Sequence, residues 1–232
     1  MKKGGVNVES MISEALQIGR GVTALIGGGG KTTLMYALAE ELKARGSVVI
    51  CTSTAILPPD AYAVLLNENA STVRDALAKE RILCVGTVGE DRKLHAPALS
   101  FDALQAIADY VIVEADGSRH LPLKAHAPHE PVIPACAGRT VLVAGIEGIG
   151  GPIRETCHRP ELYASLAGAD PEAAVTPAMA ARVIAAEGFG DIVFINKAEG
   201  EARLSAAKAL AAELPCPAVI GSLIRREYLC LS

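Results

Sequence analysis

Short apolar runs alternate along this chain with longer stretches of helical character. The runs at 22–26, 48–52, 81–85, 110–114, 140–144, 191–196 and 217–220 are too short for helices and rich in Val and Ile, so they read as buried strands. Helices are predicted at 32–44, 71–80, 101–108, 160–166, 177–187 and 201–213. Thr176-Pro177 looks like a helix start, with Thr as N-cap and Pro at the first helical position. Strands that alternate with helices predict an α/β fold with a mainly parallel sheet flanked by helices. Ligands bind such sheets at the carboxyl ends of the strands, so the chemistry should follow each strand.

The residues after the first predicted strand carry the strongest signal. They are Gly27, Gly28, Gly29, Gly30, Lys31, Thr32 and Thr33, and they lead directly into the helix at 32–44. Strand, glycine loop, Lys-Thr and helix is the arrangement of a P-loop NTPase-like fold. Glycines let backbone N–H groups crowd around phosphate oxygens, and the helix N-terminus adds partial positive charge. Lys31 would reach the β and γ phosphates, and the Thr32 hydroxyl would bind Mg²⁺. Lys31 stands at a loop–helix junction, where exposure is expected. The loop is either two residues shorter than the usual phosphate-loop pattern or begins at Gly27 with a tighter turn. A dinucleotide fingerprint fails, because its third glycine would fall on Thr32 and the strand at 47–52 ends without a ribose-binding acid.

Composition narrows the rest. The 232 residues suit one domain spanning 1–232, half of them are hydrophobic, and only 3% are aromatic. A core of Ala, Val, Leu and Ile is what a parallel sheet under Ala-rich helices needs. A net charge of −4 argues against a general nucleic-acid binder. No run of about 18 apolar residues offers a membrane span. The opening Met-Lys-Lys is too short a cue for export, which points to the cytoplasm. Six cysteines with no C-x-x-C pair read as reduced thiols.

Further candidates follow the later strands. Glu114 and Asp116 end the strand at 110–114, where a carboxylate could hold Mg²⁺ or orient an attacking water. Asn196, Lys197 and Glu199 end the strand at 191–196 in the place where Asn-Lys-x-Asp grips guanine, with Glu where Asp is usual. ATP and GTP both remain open as the nucleotide. Gly221-Ser222 could supply a second loop facing the base, and Thr52, Ser53 and Thr54 offer hydroxyls near the phosphates. His120, His126 and His129 share one loop with Lys124; three imidazoles could hold a transition metal, but their spacing favours a solvated loop. Cys157, His158 and Arg159 form either a low-pKa thiol with a phosphate-binding arginine or simply a polar helix start.

Taken together, Ile26 to Thr32, Glu114-Ala-Asp-Gly117, the stretch 121–134, His158-Arg-Pro-Glu161 and Ile195-Asn-Lys197 resemble the YqeC family of probable selenium-dependent hydroxylase accessory proteins. The resemblance runs from Gly21 to Gly221. It implies a P-loop nucleotide-binding protein linked to maturation of molybdenum hydroxylases that carry a labile selenium. Partners would be such a hydroxylase or its other maturation factors. Related P-loop proteins of metal-centre assembly hydrolyse ATP or GTP to drive a handover, often as homodimers.

Overall fold

Eight parallel strands, each centred on an apolar run, make the middle of one large sheet in the computed structural model. The structure describes residues 7–9, 11–66 and 69–231, the first three as backbone alone. The basic N-terminal triplet lies outside them. In chain order the strands are β1 (Asn7–Glu9), β2 (Gly21–Gly27), β3 (Val48–Thr52), β4 (Ala55–Ile56), β5 (Ala63–Leu66), β6 (Ile82–Val88) and β7 (Leu94–His95). They continue with β8 (Tyr110–Glu114), β9 (Leu123–Lys124), β10 (Ala137–Gly145), β11 (Cys157–His158), β12 (Ile192–Asn196), β13 (Ala218–Ser222) and β14 (Glu227–Leu231). The helices are α1 (Ile12–Ala15), α2 (Lys31–Leu42), α3 (Ala70–Leu77), α4 (Phe101–Gln105), α5 (Ile153–Thr156), α6 (Pro160–Ala167), α7 (Pro177–Glu187) and α8 (Glu201–Ala212).

The parallel strands lie in the order β13-β12-β10-β2-β8-β3-β6-β5. β3, β8, β12 and β13 are buried along their whole length, as strands covered on both faces must be. Leu34, Met35, Leu38 and Leu42 of α2 cover one face, over Leu25, Ile112, Val143 and Phe194. On the other face α3 and α4 pack Val73, Leu77 and Leu104 on Val49, Leu83 and Val111. Beside them α6, α7 and α8 pack Tyr163, Val183 and Leu210 on Leu142, Val193 and Ile220. Truncating one such leucine to alanine costs about 2–5 kcal/mol.

From β2 the chain moves outward to β3 and β6, returns to β8 between β2 and β3, and then crosses to β10 on the far side of β2. The direction of sheet growth reverses beside β2, and a crevice opens at such a reversal. The α/β expectation therefore holds: a largely parallel central sheet flanked by helices, consistent with a P-loop NTPase-like fold. The Thr176 cap also forms, accepting from the Met179 amide at 3.2 Å, with Pro177 opening α7. Among the described residues no helix is long and apolar enough to cross a membrane.

Other elements escaped the pattern. α1 and α5 have four residues each, too few for a helical period to show. β9 and β11 have two each and exist only because they pair with one another. β14 runs antiparallel to β13, and β1 runs antiparallel to β14, closing one edge of the sheet.

Candidate functional site

β2 delivers Gly27 to the crevice, and the chain turns there through Gly27, Gly29 and Gly30 at φ of 92°, 77° and 121°. Only glycine fits. A Cβ on Gly27 would lie 2.4 Å from the Val143 carbonyl oxygen, and one on Gly29 would lie 2.3 Å from the Gly145 nitrogen. Three loop amides are already satisfied. Gly27 donates to Asp116 Oδ2 at 2.9 Å, Gly28 to the Val143 carbonyl at 2.9 Å, and Gly29 to the Leu121 carbonyl at 3.1 Å. The next four amides, of Gly30, Lys31, Thr32 and Thr33, donate to no acceptor among the described residues, and α2 has no side-chain cap. These four open donors at a helix N-terminus are a ready anion site.

Lys31 corrects the expectation of exposure: it is only 4% exposed. Its Nζ donates to the Gly27 carbonyl at 2.6 Å and lies 3.0 Å from Asp116 Oδ1 and 3.9 Å from Glu114 Oε1. The Thr32 hydroxyl donates to Glu114 Oε2 at 2.8 Å. Burial pushes the Glu114 carboxyl upward, opposed mainly by Lys31. Burial also pushes the Asp116 carboxyl upward, but Lys31, then His126 and Lys124, outweigh it and hold the group at about 2. The two acids proposed for metal and water thus differ sharply. Glu114 meets the Thr32 hydroxyl, whereas Asp116 is fully buried among three cationic side chains. Asp116, expected as a Mg²⁺ ligand together with Thr32, here contacts Lys31, Lys124 and His126, whereas Thr32 bonds Glu114.

Behind Asp116 lies a chain of alternating charges. Lys124 Nζ is 3.2 Å from Asp116 Oδ2, donates to the Gly117 carbonyl at 2.6 Å, and binds Glu130 Oε2 at 2.8 Å. Glu130 Oε1 accepts from Arg159 Nε at 2.6 Å. Burial raises the Glu130 carboxyl, but Arg159 and Lys124 hold it at about 2. His126 branches off. Its Nε2 is 2.7 Å from Asp116 Oδ2 and its Nδ1 is 2.8 Å from Glu187 Oε2 on α7. Burial pulls the imidazole pKa down, yet the hydrogen bonds to Asp116 and Glu187 leave it raised. The solvated-loop reading of the three histidines is therefore overturned for His126, whose side chain is 1% exposed, while His120 and His129 do face solvent. No cluster of His, Cys, Asp and Glu among the described residues could hold a metal by itself, so the transition-metal reading gains nothing.

The strand ends beside β12 are more open. Asn196 is buried, and its Nδ2 donates to the Gly29 carbonyl at 2.9 Å, so this side chain braces the glycine loop. Lys197, at φ of 62°, pairs with Glu147. Glu199 Oε1 accepts from the Ser222 hydroxyl at 2.5 Å, and Oε2 lies 3.5 Å from Arg203. That hydroxyl, more than Arg203, holds the Glu199 carboxyl below its usual value. Glu199 and Ser222 line the mouth of a cleft of about 580 Å³ between α8 and the β13–β14 hairpin. Thr52 bonds the Glu114 carbonyl at 2.7 Å and Thr54 bonds Thr52, so these hydroxyls tie two strand ends together.

Cys157 overturns the reactive-thiol alternative. It is fully buried, and burial pushes its pKa up to about 12. A neutral buried thiol is a poor nucleophile. Glu130, Glu147 and Glu187 passed unnoticed in the sequence, because each meets its partner only through the fold.

The family model described as "YqeC protein" matches residues 23–161 of this chain, from within the glycine-loop strand to the first turn of α6. The "Uncharacterized protein YqeC" of Escherichia coli (strain K12) is 31% identical over 160 residues, which are 66% of this chain and 62% of that protein. The matched region thus spans less than two thirds of that relative's length.

Proposed function

The chain belongs to the YqeC family, and from that premise we propose that it is a Mg²⁺-dependent nucleotide-binding protein, an NTPase that assists maturation of selenium-dependent molybdenum hydroxylases. The observation that carries the nucleotide reading is the first turn of α2. Four open amides and a Thr32–Glu114 pair meet there, at the point where the sheet reverses its growth. This donor set fits a polyphosphate with its metal. The amides of Gly30 to Thr33 would bind phosphate oxygens, and Thr32 with Glu114 would hold Mg²⁺, which neutralises phosphate charge when bound. Lys31 would turn from Asp116 toward the phosphates. The hydroxylase role rests on the family resemblance alone.

Glu199 and Ser222 support a base site at the ends of β12 and β13, with guanine favoured because its two donors match a carboxylate. A second reading, a small-molecule kinase on the same scaffold with the loop at 121–134 closing an acceptor pocket, has less support, since Leu121 and Pro122 of that loop lie against the glycine loop. Calorimetric titration with ATP and GTP, with and without Mg²⁺, tests the proposal. It expects Mg²⁺-dependent binding of one or both, and no binding of either at millimolar concentration would overturn it.

A further inference from the structure

In the sheet β10 lies between β2 and β12 and runs parallel to both. The carboxyl end of β2 leads into the glycine loop, and the carboxyl ends of β12 and β13 lead to Asn196, Lys197, Glu199 and Ser222. A ligand that joins the first turn of α2 to Glu199 must therefore pass the end of β10. That end is drawn close to both neighbours. Gly145 pairs in register with Asn196, and its nitrogen would lie 2.3 Å from a Cβ on Gly29. A Cβ on Gly30 would lie 2.8 Å from Asn196 Nδ2. Beyond Gly145 the chain makes a single 3₁₀ turn, Ile146–Gly148, and the Glu147 side chain folds back over Gly145. A Cβ on Gly145 would lie 2.5 Å from Glu147 Oε2. Lys197 occupies Oε1, whereas Oε2 is buried and accepts from no donor among the described residues. A carboxylate has about four acceptor positions, so most of this one's capacity is unused. The side chains of Lys197 and Glu147 are 42% and 22% exposed, so solvent reaches the pair.

We propose that Glu147 is the sugar-selecting residue of the nucleotide site, its carboxylate accepting a hydrogen bond from a ribose hydroxyl. The proposal rests on the nucleotide reading above and names the part of the ligand that the end of β10 meets. The chemistry of the pair decides among ligands. The Lys197 ammonium disfavours a metal cation, and no cluster of His, Cys, Asp and Glu among the described residues could hold one there. The carboxylate in turn repels a phosphate. A neutral hydroxyl suits both partners, because it can donate to Glu147 and accept from Lys197 at once. In a nucleotide the neutral hydroxyls are those of the sugar, and the sugar stands between phosphates and base, as β10 stands between β2 and β12.

Calorimetric titration with ATP, GTP and their 2′,3′-dideoxy forms, all with Mg²⁺, tests this on wild type and Glu147→Ala. For whichever base binds more tightly, wild type should prefer the ribose form by roughly tenfold or more, the value of a hydrogen bond to a charged group. In Glu147→Ala that preference should close to about twofold or less. A merely structural glutamate would weaken both forms together and leave their ratio unchanged. Circular dichroism checks that the variant folds. Should it not fold, Glu147→Gln keeps the size and should narrow the same ratio, since a neutral acceptor is about half as strong. Equal binding of ribose and dideoxy forms by wild type, or a ratio that survives both substitutions, would overturn the sugar role and leave the nucleotide proposal standing. Binding of none of the four compounds would overturn both.

Discussion

The two candidate ends of the site are built on opposite principles. At the phosphate end, beside β2 and β8, Lys31, Asp116, Lys124 and His126 are buried together and hold one another by direct contact. At the base end, beside β12 and β13, Asn196 is the only buried member of the Asn196–Lys197–Glu199 set, and Glu199 meets a hydroxyl and an exposed arginine at the edge of a cleft. In the first region each charge is placed by the others, so a change there disturbs folding as well as binding. In the second, a change should act on the ligand and leave the fold alone.

The largest break expected is Asp116→Ala. It strands three cationic side chains with one carboxylate fewer, and removal of one partner from a buried ion cluster costs roughly 3–5 kcal/mol. Urea denaturation should show that loss, and a change below 1 kcal/mol would show that the cluster is not a folding determinant. Lys31→Ala comes next. It should lower nucleotide affinity tenfold or more, for a charge-assisted contact worth roughly 1.5–3 kcal/mol. It should also destabilise the ligand-free protein, because Asp116 Oδ1 has no hydrogen-bond donor beyond this ion contact. Reduced affinity with unchanged stability would contradict the geometry of the buried lysine.

His126 gives the comparison a pH axis. Its folded pKa is raised above the ordinary 6.5, so its stabilising contribution is complete below pH 6.5 and lost as pH rises through the folded value. The stability gap between wild type and His126→Gln should therefore be wider at pH 6 than at pH 9, by up to one charge-assisted bond of about 1.5–3 kcal/mol. A gap that widens toward high pH would mean that the ring is neutral in the fold. At the base end, Glu199→Ala should weaken GTP by roughly 1–3 kcal/mol and leave ATP and the denaturation midpoint nearly unchanged. Competition between the two nucleotides reads this, and equal losses for both would end the guanine reading. Smallest of all, Arg203→Ala removes one surface i,i+4 contact to Glu199 and should change stability by less than about 0.5 kcal/mol.

The contrast also explains what the sequence could reveal. Seven of the eight parallel strands, the helices above five residues and the glycine loop were legible because each rests on a local signal: an apolar run, a cap, a tight turn; β5 (Ala63–Leu66) was not among the predicted strands. The setting of Lys31 was not. Its burial depends on Asp116, 85 positions away, and on β8 lying beside β2. His126 was misread for the same reason. Nothing near it announces Glu187, which arrives on α7 from 61 residues further along. Motif reading singled out the glycine loop, Glu114 and Asp116, but assigned no role to Glu130, Glu147 or Glu187, which meet their partners only through the fold.

The Lys31 contacts have one more consequence. With its ammonium on the Gly27 carbonyl and the Asp116 carboxylate, the loop contains its own competitor. An incoming anion that needs this lysine must outbid both groups, and its apparent affinity falls by the fraction of time the lysine is free. A lone phosphate, with one weak contact to offer, loses that exchange. On the proposed function, a polyphosphate that also engages four amides and a metal would win it, and the lysine would then act as a threshold that screens out small anions before any base is read.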